Sequence, residues 1–84
     1  MRLEYFTAPW CQPCKVFGPI MDTVTEALEI EMEKINIEEQ PERIPDNVWG
    51  VPIVVMYNGN REISRIVGAR PEDDVTAWIL REGR

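Results

Sequence analysis

Cys11 and Cys14 are the only cysteines of this 84-residue chain, and two residues separate them in Ala8-Pro9-Trp10-Cys11-Gln12-Pro13-Cys14-Lys15. Three chemistries are open to such a pair. As a structural clip it would close so short a loop that little denatured-state entropy is removed. As a closed zinc site it would need four Cys or His ligands. The chain has no histidine and no third cysteine, so only two chains sharing their thiolates could hold zinc or an iron–sulfur cluster. As a redox pair it needs one thiol that ionises readily and a second within bonding reach. A helix beginning at the first cysteine meets both needs. Backbone N–H groups and the helix dipole stabilise a thiolate there, so Cys11, exposed at that end, is expected to titrate toward about 7. Cys14, one turn in, points back toward it, and Pro13 stiffens the loop and helps fix the helix start.

The elements needed to position that pair are readable. Arg2-Leu3-Glu4-Tyr5-Phe6 has the character of a short strand, ended by Thr7-Ala8-Pro9. From Cys11 the apolar residues Phe17, Ile20, Met21, Val24, Ala27 and Leu28 recur at steps of three and four, one face of an amphipathic helix. Pro19 falls inside this pattern and is expected to bend the helix without ending it. Glu33 to Ile37 is a second strand. Gln40 to Asn47 is polar, holds two prolines, and suits a short helix or an irregular loop. Pro52 to Tyr57 is an almost unbroken apolar run, as in a strand covered on both faces. Asn58-Gly59-Asn60 is a hairpin turn, and Glu62 to Val67 the returning strand. After Gly68-Ala69 comes a last helix with Pro71 at its start, Glu72, Asp73 and Asp74 in its first turn, and Val75, Trp78 and Ile79 on its buried face. Asp73 and Asp74 are helix-end charges here, and Met21, Met32 and Met56 fill the core. The order β-α-β, connector, β-β-α makes one α/β layered domain spanning 1–84, with helices available to cover both faces of the sheet. The first crossover puts strands one and two parallel. A C-x-x-C beside a β-α-β unit is the redox arrangement.

Charge and composition exclude other classes. The net charge of −6 without histidine leaves no cluster of Lys and Arg for phosphate contacts, so no nucleic acid is expected. No apolar run approaches the roughly 20 residues that cross a bilayer, and the N-terminus lacks a signal-peptide pattern. The expected setting is cytoplasmic, without membrane contact, and there a purely structural disulfide is out of place.

With these residues in this order, the chain resembles the thioredoxin family over nearly its whole length. Trp10-Cys11-Gln12-Pro13-Cys14-Lys15 is similar to the family's WCxPCK site, and Pro19 stands where thioredoxins carry a helix-bending proline. Lys34-Ile35-Asn36-Ile37-Glu38 resembles the K-x-N-I-D strand, and Gly50-Val51-Pro52 the segment bearing a cis-proline. Asn58-Gly59 matches the hairpin turn, and Val67-Gly68-Ala69 the last piece of the substrate groove. The resemblance implies a thioredoxin-like three-layer α/β fold, a four-stranded mixed sheet flanked by helices. It implies a thiol–disulfide oxidoreductase that reduces protein disulfides through a Cys11–Cys14 dithiol/disulfide cycle with a mixed-disulfide intermediate. Carried over residue by residue, Cys11 is the nucleophile and Cys14 the resolving thiol. Pro13, Lys34 and Pro52 support the site, and Trp10, Gln12, Val51, Gly68 and Ala69 face the client. Pro52, if cis, would set the Val51 backbone beside Cys11 and obstruct metal capture, so no metal and no cofactor are called for. The implied partners are disulfide-containing client proteins, ribonucleotide reductase among them, and a thioredoxin-reductase-type flavoenzyme; a monomer is expected.

Three departures stand out. Where the family has a buried Asp six residues before the first cysteine, this chain has Tyr5, a poor base. Strand alternation turns the adjacent Glu4 to the other face, leaving proton removal from Cys14 to water or Lys34. Gln12 replaces the usual Gly, which bears on the redox poise. The family's first strand and helix are missing, giving a minimal, glutaredoxin-sized version. Two rivals differ in kind: a glutathione-dependent, glutaredoxin-like reductase, and a redox-inert or cluster-bridged binding module. Trp10 reads as a client-facing platform, Trp78 as core, and Trp49 as either groove border or core.

Overall fold

A computed structural model describes residues 1–46 and 50–83; Trp49 lies outside the described residues. Strand β1 (Arg2–Thr7) runs into helix α1 (Gln12–Leu28) and back into β2 (Glu31–Asn36). A connector follows, with one 3-10 turn at Pro41–Arg43, and then the hairpin β3 (Ile53–Asn58) and β4 (Arg61–Val67) and the helix α2 (Glu72–Glu82). The strands lie in the order β2-β1-β3-β4. β1 is parallel to β2 and antiparallel to β3, which pairs antiparallel with β4. This is the expected mixed sheet.

Local chemistry explains most element ends. Cys11 is the N-cap of α1, its extended backbone letting Sγ accept from the Cys14 N–H. Pro19 stays inside the helix, where it removes one N–H from the ladder. Helix α1 ends at Glu29 in the left-handed region, φ +55°, a position the sequence does not advertise with glycine. The hairpin turns on Gly59 at φ +63°. In α2, Pro71 is the N-cap and the three carboxylates fill the first turn, as the dipole favours.

The two faces of the sheet are covered differently. Leu3 and Tyr5 of β1 with Val54 and Met56 of β3 meet Phe17, Met21 and Val24 of α1 and Val75, Trp78 and Ile79 of α2. Both helices therefore share one face, instead of dividing between two. On the other face Phe6, Ile35, Ile53 and Val55 are covered by the connector residues Ile37 and Val51. The third layer is thus the connector, whose described residues form a 3-10 turn at Pro41–Arg43 with Pro45 just beyond it. It is clamped by charge: Arg43 reaches Glu4 Oε2 at 3.0 Å and Glu33 Oε2 at 2.6 Å, while Arg2 holds Glu4 Oε2 at 2.7 Å. Glu4 does face away from Tyr5, as alternation requires. Along α1, Ala27 is exposed and Thr25 buried, the reverse of their polarity. Thr25 is tolerated because its hydroxyl donates to the Met21 carbonyl at 2.7 Å.

Candidate active site

The loop from β1 into α1 carries the chemistry. Ala8 accepts from the Cys11 N–H at 3.1 Å, closing a turn that delivers Cys11 to the helix start. Cys11 and Cys14 are joined as a disulfide with Cα atoms 5.3 Å apart. Cys11 Sγ accepts from the Cys14 N–H at 3.2 Å. A sulfur at a helix N-cap facing an orphan N–H is the environment in which negative charge on that sulfur is best stabilised.

One expectation is corrected. Cys11 is only 3% exposed, not an open helix end. With Ala8 and Cys14 it forms a small apolar cluster against Ile37 and Val51. The sulfurs cover each other, and two chain segments far off in sequence close over them. The residues around them are open: Trp10 is 61% exposed, and Gln12 and Pro13 are exposed. Val16, on the second turn of α1, and Val67, at the end of β4, add exposed apolar surface.

The Val51–Pro52 peptide is cis. Pro52 is fully buried, and its carbonyl accepts from the Gly68 N–H at 2.9 Å. That bond ties the loop after β4 to the segment lying on the cysteines. Gly68 sits at φ +86°, a conformation that side chains resist. Val51 thus packs on the cysteines directly, and Gly68 is tied to that segment through the Pro52 carbonyl.

Lys34 does not join it. Its Nζ pairs with Asp22 Oδ2 at 2.7 Å, with the lysine side chain 45% exposed. It is a lysine of the edge strand β2 whose ion-pair partner is Asp22 of α1, not a group on either cysteine. The polar group that does reach Cys14 is the phenol of Tyr5, whose hydroxyl donates to the Cys14 carbonyl at 3.3 Å. Burial, the largest influence, raises that phenol above its ordinary value of 10.0, a hydrogen bond with Thr7 opposes the rise, and the Asp22 charge adds to it. Sequence reading missed Ile37. The signal was present: with β1 and β2 parallel, the residue after β2 returns beside the residue after β1, and the Ile37 N–H donates to the Thr7 carbonyl at 2.9 Å.

A depression of about 640 Å³ between α1 and β2, lined by Asp22, Thr25, Glu26, Met32 and Lys34, touches none of the cysteines' neighbours. The residues flanking the buried disulfide, Trp10, Gln12 and Pro13, are exposed, which suits a partner that is itself a protein.

A β-α-β unit with a C-x-x-C at its helix N-cap, facing a cis-proline, defines the dithiol oxidoreductases of thioredoxin-like fold. The thioredoxin family model matches residues 2–81, and the chain belongs to that family. It is 35% identical over 80 residues to a thioredoxin of Streptomyces clavuligerus, covering 93% of this chain and 71% of that one. It is 30% identical over 77 residues to thioredoxin 1 of a Nostoc species, covering 88% and 72%. Thioredoxin 1 of Thermosipho africanus superposes with a TM-score of 0.84 at 29% identity, over 96% of this chain and 92% of that one. The protein is a thiol–disulfide oxidoreductase, an enzyme that reduces protein disulfides through its cysteine pair. Its family works on disulfide-containing substrates and with thioredoxin reductase. Among the described residues no helix is long and apolar enough to cross a membrane.

Proposed function

We propose that Cys11 is the attacking sulfur and Cys14 the resolving one, in a single domain that works as a cytoplasmic protein-disulfide reductase. The Cys11 thiolate attacks a client disulfide, forming a Cys11–client bond and releasing one client thiolate. The Cys14 thiolate then attacks Cys11, the mixed disulfide breaks, and the second client thiolate leaves. Two electrons have passed to the client, whose sulfurs take up two protons, and the Cys11–Cys14 disulfide remains. A thioredoxin-reductase-type flavoenzyme returns the electrons, and ribonucleotide reductase is one client of the right kind. The observation that carries this assignment is the hydrogen bond from the Cys14 N–H to Cys11 Sγ at the helix N-cap. Stabilising the Cys11 thiolate favours it as the attacker, since thiolate fraction and access set exchange rates. Trp10, Gln12, Val51, Gly68 and Ala69 form the surface on which a client strand lies, and Pro13 and Pro52 hold its shape.

The test is a pair of serine variants. Cys14→Ser should accumulate a covalent adduct with client protein that a dithiol releases. Cys11→Ser should neither turn over nor form that adduct. Insulin reduction at the parent rate by Cys11→Ser would overturn the assignment.

A further inference from the structure

We propose that Tyr5 is a positioning residue for the second half of the reaction: its neutral hydroxyl holds the Cys14 peptide so that the resolving sulfur stays aimed at Cys11. The inference rests on the reading of Cys14 as the resolving thiol. Tyr5 is 1% exposed, in the middle of β1 and beneath the first turns of α1. Its hydroxyl donates to the Cys14 carbonyl at 3.3 Å. Among the described residues it is the one side-chain oxygen hydrogen-bonded to the peptide of either cysteine. The ring is held edge-on by Phe17, centroids 5.9 Å apart. Gly18 faces the hydroxyl, where even an added Cβ would stand in ordinary contact at 3.7 Å from the phenol oxygen. Phe17 and Gly18 lie one turn beyond Cys14, so the phenol is fixed against the stretch of helix that aims that sulfur.

The phenol positions and does not take the proton. On its side of the sheet Asp22 of α1 and Lys34, its neighbour on β2, pair with each other; Glu26 and Glu29 of α1 line the same depression as that pair, and Asp74 and Arg81 of α2 lie beside Ile66 and Trp78. Its neighbour on β3 is Val54, and α2 brings Val75, Trp78 and Ile79 to the same cluster, none of them charged. Buried in this setting, the phenol stays protonated through neutral pH. In resolution the Cys14 proton passes to water. The thiolate forms the bond to Cys11, and the electron pair of the broken bond leaves on the client sulfur. Tyr5 holds the Cys14 carbonyl throughout and exchanges nothing.

The test uses the reduced chain in stopped flow against an aromatic disulfide whose thiolate products absorb. The first equivalent of colour reports attack by Cys11, and the second reports resolution by Cys14. Tyr5→Phe keeps the ring and removes the oxygen. The first phase should stay within about twofold of the parent and the second should slow roughly 3- to 10-fold, the effect of one lost hydrogen bond. In the parent chain the second phase should show a single ionisation, that of the Cys14 thiol, a readout that does not depend on the variant's folding. An unchanged second phase, an equal slowing of both phases, or a parent pH profile with a second ionisation that Tyr5→Phe removes would each overturn the proposal. A parent with no second phase at all would overturn the resolving role of Cys14, and this proposal with it.

Discussion

Replacing Gly68 by alanine separates the cost of a backbone conformation from the cost of a lost contact surface. Gly68 holds φ +86°, and its N–H donates to the Pro52 carbonyl at 2.9 Å. Space is not the obstacle, because an added Cβ would meet the Arg70 Nη1 at 3.3 Å, the far end of a flexible side chain. The obstacle is the left-handed backbone, which costs an L-residue about 1–2 kcal/mol. For a domain of this size that is a fall in Tm of about 4–16 °C. Gly59→Ala is the matched control, since Gly59 at φ +63° turns the hairpin between β3 and β4, with nothing within 4 Å of its added Cβ. Both variants should lose similar stability in thermal unfolding followed by circular dichroism. Their activities should then part at 25 °C, where both remain folded. Gly68→Ala relieves its strain by letting go of the Pro52 carbonyl, which loosens the Val51–Pro52 side of the surface beside the disulfide. Reduction of a protein client should fall several-fold in this variant, with the rate on a small aromatic disulfide preserved. Gly59→Ala should match the parent on both substrates. A Gly68→Ala protein as stable as the parent would refute the backbone reasoning. Equal losses of client reduction in the two variants would refute the role of Gly68 beside the site.

Phe17 is fully buried beneath α1 and packed edge-on against Tyr5; Phe17→Ala should cost about 3–5 kcal/mol and lower Tm by at least about 12 °C, measured by calorimetry. Stability should decline at both ends of the pH range. Glu33 and Glu62 have carboxyls held below their ordinary 4.5, chiefly by hydrogen bonds from Arg43 and Arg65. Their contribution is present above about pH 4.5 and is lost as pH falls through the lowered folded values, modestly, because these pairs face solvent and are screened by salt. Tyr5 and Tyr57 have phenols raised above 10.0, mainly by burial. The fold therefore keeps their contribution below pH 10 and loses it as pH rises through the raised values. Denaturant midpoints measured across pH should show both limbs, with the alkaline one reduced in Tyr5→Phe.

Where a residue's surroundings lie within one turn or one hairpin, its type and spacing are enough to place it. The thiol cap at Cys11, the Asn58-Gly59 turn, the acidic first turn of α2 and the stripe Phe17, Met21, Val24 are of this kind. The family resemblance added the cis-proline at Pro52, which no local spacing implies. Where the deciding partner lies elsewhere in the chain, residue type misleads. Lys34 reads as a site lysine until Asp22 is seen across the sheet edge. Cys11 reads as an exposed helix end until Ile37 and Val51 are seen over it. Tyr5 reads as a missing base until its hydroxyl is found on the Cys14 carbonyl. Periodicity likewise assigns each helix an apolar face but not a side of the sheet, and here both helices chose one side because the connector, with its prolines and its Arg43 clamp, took the other. The site inherits this division. Its sulfurs belong to the helix layer, its Val51–Pro52 wall to the connector, and Gly68 to the loop after β4. The Gly68 N–H on the Pro52 carbonyl and the Ile37 N–H on the Thr7 carbonyl are what join the pieces. Both bonds are backbone to backbone, so no side-chain signal announces them, and the reactive surface depends on them as directly as on the cysteines.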